Sequence, residues 1–506
     1  MRKNALKTVL FAIMALTLVI TAACNNGKSG NSDTTSNESG ETSSDLKPVN
    51  LVVAFPMVTD QKDMELVQNE ISKITKEKIN ATVKLVPIGF GAYSQQKTLM
   101  LSSNEQVDLM ISGLGTHSQD VAKGLYVELD DLLEKKGKGI KDAFETTIGS
   151  DILNAVKIKG KTYGIPVIRN MAQDISILMR KDLVEKYKID ASKIKTLDDL
   201  DPIFKIIKEN EPNITPIAKS SNSILTVLNG INGELLGDGT GLSNKDPGLK
   251  VVNWFETEEN AYLLNTVRRW YQAGYIDKDS ATSTETGFHL MKAGKAFSYP
   301  NLIDPWFNED SSTGRETVVV HLKSAPIATS SINSFMWSMA KNTVNQERAM
   351  MLLELMYTDK DVVNLLNYGI EGKHYVKVSD DIIDFPEGVN ASNSSYFPAQ
   401  VWMFGNSLLS YHLKGEDPEV HVKAAAATKN ALKSKVLGFN FDSEPVRTEI
   451  AAVTNVMNQY QVALETGMID PATKVPDFNK QLKAAGMDKI IAEKQKQLDA
   501  WAVSNK

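Results

Sequence analysis

Residues Val49 to Phe55 read VNLVVAF. Apart from Asn50 the run is apolar, and such a run suits a strand buried on both faces. A strand of that kind needs helices on both sides of its sheet, and they follow at once. Val67, Ile71, Ile74 and Lys78 step at helical spacing, which makes Asp63 to Ile79 an amphipathic helix. Val83 and Leu85 alternate with polar residues ahead of Pro87, a second strand. Tyr93 to Ser103 reads as helix, and Val107 to Ile111 as a third short strand ending at Ser112-Gly113. Strand, helix, strand, helix, strand is the pattern of a parallel α/β sheet. Ligands of such sheets bind beyond the carboxyl ends of the strands. The loops after Phe55, Pro87 and Ile111 are therefore the first places to look for a site.

The pattern continues. KGKTYGIP, from Lys159, is a hairpin-like turn entering an extended strand. Ile175 to Met179 is another apolar strand, and Lys181 to Tyr187 starts a helix. Thr196 to Asn210 reads as a helix with Thr196 as N-cap and Asp199 three residues on. Val251 to Ala273 contains a long helix, Glu347 to Tyr357 another, and 481–502 an amphipathic one. Gly237 to Gly241 reads as a flexible loop. The last third is helix-rich, and no internal repeat is visible.

The first 45 residues obey different rules. Arg2, Lys3 and Lys7 precede an apolar run from Val9 to Ile20, and Thr21, Ala22 and Ala23 are small. This is a secretory signal, 1–23, too short in its apolar part to span a bilayer. Cys24 is the only cysteine of the chain. A polar stretch with no aliphatic or aromatic side chain follows, to Asp45. Such a segment cannot bury enough apolar surface to order itself, so 24–47 reads as a flexible tether.

Removing signal and tether leaves too many residues for one core, which points to two or three domains. The net charge of −6 gives no basic face for nucleic acid. No later apolar run approaches membrane-spanning length.

Seven stretches, in order, carry a family likeness: GLYVELDDLL (Gly124 to Leu133), KGKTYGIPV (Lys159 to Val167), MRKDLVEKYKID (Met179 to Asp190), FHLMKAGKAFSYPN (Phe288 to Asn301), NYGIEGKHYV (Asn367 to Val376), GFNFDSEPV (Gly438 to Val446) and the closing QLKAAGMDKIIAEKQKQLDAW. With them the chain resembles the extracellular solute-binding proteins of family 1, the maltose-binding-protein-like class, in its large Gram-positive lipoprotein form. The resemblance implies a two-lobed α/β, periplasmic-binding-protein-like fold (class II) with a helix-rich C-terminal region. It implies chain crossings near Arg169 to Gln173 and Ala325 to Ser331, and a further return near Gly369. Lobe one is then 48–170 plus 328–370, and lobe two 171–327 plus 371–506. Ala22, Ala23 and Cys24 resemble a lipobox, with Thr21 where Leu is usual. That implies acylation of Cys24 by a diacylglycerol thioether, with palmitate-like chains, and anchoring on the extracellular face of the cell membrane.

The implied function is capture of a saccharide, an oligosaccharide, for an ABC permease by a monomeric receptor that needs no cofactor. A sugar offers apolar C–H faces and many hydroxyls, so its site pairs aromatic platforms with polar side chains. Trp306 follows Pro305 where this family often places a stacking aromatic. Trp402 sits in the irregular stretch YFPAQVWMFGN, and Trp337 near the second crossing. Trp254, Trp270 and Trp501 read as core residues of helices. Polar candidates are Thr116 and His117 after the third strand, Arg169 and Asn170 at the first crossing, and Tyr299 and Asn301 flanking Pro300. Phe90 and Tyr93 follow the second strand. Asp304 and Asp60 are weaker candidates.

Other chemistries lack their signatures. There is no GxxxxGK phosphate loop and no GxSxG elbow. The six histidines show no paired metal-ligand spacing. No EF-hand spacing occurs, which leaves a looser calcium site open. Two rival readings also stay open: a surface-anchored carbohydrate-active enzyme, which needs only two carboxylates at the right separation, and a receptor for a non-carbohydrate solute such as a peptide.

Overall fold

VNLVVAF lies in strand Val49–Met57 of a computed structural model that describes residues 46–103, 105–220, 223–243, 245–246, 248–304, 315–391 and 393–505. Every residue from Leu51 to Met57 is buried, as expected of a strand covered on both faces. Its sheet has the order Ala81–Gly89, Val49–Met57, Leu109–Gly113, Phe335–Met339, Ile165–Pro166. The first three strands are parallel, with Val53 between Leu85 and Leu109. Helices Met64–Ile79 and Tyr93–Ser102 make the crossovers. Helix Met64–Ile79 buries Val67, Ile71, Thr75 and Ile79, and Asn80 ends it at a left-handed φ of 44°. Phe335–Met339 arrives from far along the chain and runs antiparallel, Phe335 opposite Gly113.

A second sheet has the order Thr317–Ala325, Gln173–Arg180, Ala296–Ile303, Thr215–Ile217. Gln173–Arg180 is antiparallel to both neighbours, and Ile177 pairs with Pro300 and Val320. Ala296–Ile303 is parallel to Thr215–Ile217.

Each sheet has its own apolar core. Phe55, Phe144, Met336, Trp337 and Tyr357 belong to the first. Ile175, Ile177, Phe204, Leu263 and Trp270 belong to the second, joined by Val453, Phe478, Leu482 and Ile490 from the C-terminal helices. Tyr396, Met403 and Phe404 join the first core, not the second. Tyr368, Tyr375, Ile383 and Tyr411 form a small aromatic cluster under the sheet of Val376–Lys377, Ile382–Asp384 and His412–Leu413. The stretch after Gly369, expected with the second lobe, thus packs on the first core at Tyr396, Met403 and Phe404, and Lys433 bridges to Ile327. Gly369 ends helix Lys360–Tyr368 at φ 77°, and a Cβ on it would meet the His374 ring.

Four local expectations also change. Thr196–Asn210 is not one helix: Asp199 accepts the Lys195 and Thr196 amides, and a 3-10 turn, Asp198–Leu200, precedes helix Asp201–Asn210. The long helix begins only at Glu258, capped by Thr257, and Trp254 lies in the turn before it. Gly237 to Gly241 is a tight hairpin turn between Gly233–Gly237 and Thr240–Ser243, with Gly237, Asp238 and Gly239 all at positive φ. The stretch 481–502 holds two helices, Pro471–Ala485 and Met487–Ser504. They part at Gly486 with φ 107°, a conformation that glycine adopts without the Cβ penalty.

Candidate ligand site between the two sheets

The carboxyl ends of both sheets face the crossings. Strand Ile165–Pro166 leads into the first crossing, and Phe335 leaves the second beside Gly113, the carboxyl end of its neighbour. In the second sheet Gln173 begins just after the first crossing, and Ala325, opposite it, ends just before the second. Ala296–Ile303 runs antiparallel to Gln173–Arg180 and so ends there too. Two carboxyl edges meeting at shared crossings is the arrangement that forms a ligand crevice in α/β proteins.

The first edge is aromatic. Phe90, just past Gly89, is 40% exposed, and Val58, just past Met57, is 61% exposed. Trp402 is half-buried, its ring edge-on to Phe335 with centroids 4.7 Å apart. The Trp402 loop is held by Gln400, which is wholly buried. Gln400 Oε1 accepts the Val58 amide at 2.9 Å, and its Nε2 donates to Pro56 O at 3.2 Å. A second tie lies further back. Asp63 accepts Ser395 Oγ at 2.5 Å and His374 Nε2 at 3.0 Å, and Lys373 lies at 3.3 Å. These donors hold the Asp63 carboxyl down at about 2. Phe335, Val58 and Gln400 escaped the sequence reading, because only the fold brings them beside Trp402.

The structure removes several expected contacts from the edge. Trp337 is fully buried and donates its indole N–H to Met403 O at 2.9 Å. Tyr93 is also buried, its hydroxyl donating to Ile111 O at 2.6 Å. Thr116 is engaged with the buried Lys97–Asp120 pair, accepting from Lys97 Nζ at 2.6 Å. His117 is buried against Tyr126, and burial brings its imidazole down to about 4. Tyr299 is buried in the small core of Leu178 and Met291. Trp337, Tyr93, His117 and Tyr299 have no surface to offer a sugar, and the half-buried Thr116 has its hydroxyl engaged by Lys97.

Arg169 and Asn170 build the crossing. Arg169 donates to Asn170 O and Ser331 O, both at 3.1 Å, joining the first crossing to the second. Asn170 Oδ1 accepts the Ala172 amide and the Thr428 hydroxyl, and Nδ2 donates to Asp304. Burial pushes the Asp304 carboxyl up. Asn301 is half-buried near the end of its strand, beside Leu302, which is 40% exposed. Trp306 and Cys24 lie outside the described residues.

Among the described residues two Ser/His/Asp groupings occur, and neither has relay geometry in the contacts given below. Ser176 Oγ and Asp174 Oδ2 both approach the same nitrogen, His321 Nδ1, at 3.3 and 3.2 Å. At Asp63 the carboxylate, not the imidazole, is the hub. A relay needs serine and carboxylate on opposite ring nitrogens. Among the described residues no group of three or more His, Cys, Asp and Glu side chains is placed to hold a metal ion. A cavity of about 390 Å³ lies elsewhere, at the far end of the second sheet, lined by Tyr187, Ile189, Ile194, Pro202 and Ile203 among others.

Known proteins share this architecture. A carbohydrate ABC transporter substrate-binding protein of Streptococcus pneumoniae is 28% identical over 96% of both chains. The crystal structure of an N-glycan transport solute-binding protein from the same organism superposes with a TM-score of 0.79 at 24% identity, over 91% of this chain and 100% of that one. Its complex with Man5GlcNAc gives 0.70 at 26% identity, with the same coverage. Residues 435–503 match a domain of unknown function, DUF3502. Residues 59–363, from the first strand's end through both crossings, match the bacterial extracellular solute-binding protein model, and the chain belongs to that family.

Proposed function

We propose that this protein is the substrate-binding component of an ABC importer that captures an oligosaccharide between two lobes and delivers it intact to the permease. The first lobe is the sheet of Val49–Met57 with its core and residues to about 430; the second is the sheet of Gln173–Arg180 with the C-terminal helices. The observation that carries the reading is the aromatic edge of Phe90, Phe335 and Trp402, set at the carboxyl ends of a sheet that faces a second sheet across shared crossings. The saccharide cargo of its relatives agrees with that edge. Trp306 and Asn301 complete the proposed contacts from the second lobe. Closure follows if ligand binds the closed form better than the open one, with the crossings absorbing the motion. Cys24, acylated after removal of 1–23, anchors the receptor outside the membrane through its tether, since two or three acyl chains suffice for stable attachment.

A thermal-shift titration with Man5GlcNAc and a panel of other oligosaccharides tests the reading. A ligand at about 100 times its Kd adds about 2.7 kcal/mol. An upward shift with the sugar recovered intact is expected. Recovery of cleaved sugar overturns the transport reading in favour of an enzyme; no shift with any sugar moves the cargo to another solute class.

A further inference from the structure

The C-terminal region 435–503 is anchored differently at its two ends. Its helices Arg447–Glu465, Pro471–Ala485 and Met487–Ser504 bury Val453, Leu464, Phe478, Leu482 and Ile490 in the second core. Lys494, with no side-chain exposure, locks them to the second lobe's hairpin. It donates to Leu236 O and Gly237 O, to Thr240 Oγ1 at 2.9 Å and to Asp238 Oδ2 at 3.0 Å.

The segment leading into those helices, 433–442, belongs to neither lobe alone. On one side it holds the second crossing and the first lobe. Ile327 bridges to Lys433, and Thr329 Oγ1 donates to Val436 O at 3.2 Å while accepting the Gly438 amide at 2.8 Å. Asn440 Nδ2 donates to Lys157 O at 3.1 Å and Ala155 O at 3.4 Å, and its Oδ1 accepts Asn333 Nδ2 at 2.8 Å. Ala155 is part of the first core. On the other side Ser434 Oγ donates to Glu234 Oε1 at 2.6 Å, and Gln497 exchanges two 2.9 Å bonds with the Asp442 backbone. A crossing held only by chain continuity is free to bend. This one is bonded laterally to both lobes.

We propose that residues 435–503 are a brace: a module fixed to the second lobe that grips the first through Asn440 and so limits how far the lobes swing. The proposal rests on the two-lobe reading above but not on the identity of the cargo. Exposed pairs such as Lys159–Asp442, at 3.2 Å, add little to it. Asn440 is the residue to test, because it joins Asn333, just past the second crossing, to the Ala155 and Lys157 carbonyls.

The test is made without saccharide, on the full chain carrying Cys24→Ser. Spin labels on cysteines at Lys76 and Glu209, exposed positions on helices of the two lobes, report the interlobe distance by double electron–electron resonance. Asn440→Ala is expected to broaden the distance distribution and shift it by several ångströms. If Asn440→Ala fails to fold, Asn440→Asp is read in the same way, because a carboxylate there cannot donate to the Ala155 and Lys157 carbonyls. A distribution that superposes on the parent in the folded variant overturns the brace and leaves the cargo reading untouched.

Discussion

Gln400 and Val58 are joined by a 2.9 Å hydrogen bond from a strand-end amide to a buried side-chain carbonyl, across most of the length of the chain. That bond places Trp402, two residues further on, at the edge where the first strand ends. Gln400→Leu leaves the Val58 amide and Pro56 carbonyl without their partner. A buried group stranded in this way costs about 1–3 kcal/mol. The expected outcome is a lower Tm together with weaker oligosaccharide binding by calorimetry, since the loop that presents Trp402 loses its tie. Unchanged affinity would separate the loop from the site.

The tryptophans separate by role. Trp402→Ala is expected to weaken oligosaccharide binding about 10-fold or more, about 1.4 kcal/mol, with little change in Tm. Trp337→Ala empties a core position packed by Phe55 and Phe404, and is expected to cost about 3–5 kcal/mol of stability. Calorimetry and denaturant titration on both variants decide the assignment. Equal loss of affinity with equal loss of stability would show that Trp402 is a core residue too.

Asp63 makes stability depend on acid. Its carboxyl is held at about 2 by Ser395, His374 and Lys373, against an ordinary value of 3.8. A depressed carboxyl contributes stability above its unfolded value and loses it as pH falls through the folded one. That contribution is present above about pH 4 and is lost as pH falls toward 2. Asp63→Asn should therefore lower Tm at pH 7, and the gap to the parent should close as pH falls below about 4. A gap that does not narrow would remove ionisation of Asp63 as the cause.

Lys494→Met tests the docking of the last helix. Burial draws this ammonium down from the usual lysine range, while Asp238 acts to raise it. Removing it takes a donor from the Leu236 carbonyl and leaves the Asp238 carboxylate without its ammonium, while Gly237 O keeps the Thr240 hydroxyl. Breaking a buried pair from one side costs about 3–5 kcal/mol. Hydrogen exchange should rise in helix Met487–Ser504 and hairpin 233–243 ahead of the two sheets. Protection that stays even across the molecule would show that the helix is not held there by Lys494.

The strands and helices of residues 49–113 were legible in the sequence, because apolar periodicity follows from burial and burial there is local to each element. Leu51 to Phe55 are buried on both faces, and the steps from Val67 to Ile79 mark one helix face. The crossings near Arg169 to Gln173 and Ala325 to Ser331 were an expectation drawn from a family pattern. What only the tertiary structure decided were choices between neighbours far apart in the chain. Trp337 and Trp402 are alike in composition and context, yet one lies under the sheet and the other at its edge. Thr116 and His117 were polar residues at a strand end until Lys97, Asp120 and Tyr126 closed around them. The family pattern put the stretch after Gly369 with the second lobe, yet Tyr396, Met403 and Phe404 fill the first core. Local pattern reports that a side chain is to be buried; which partners bury it is fixed by contacts that no single segment contains.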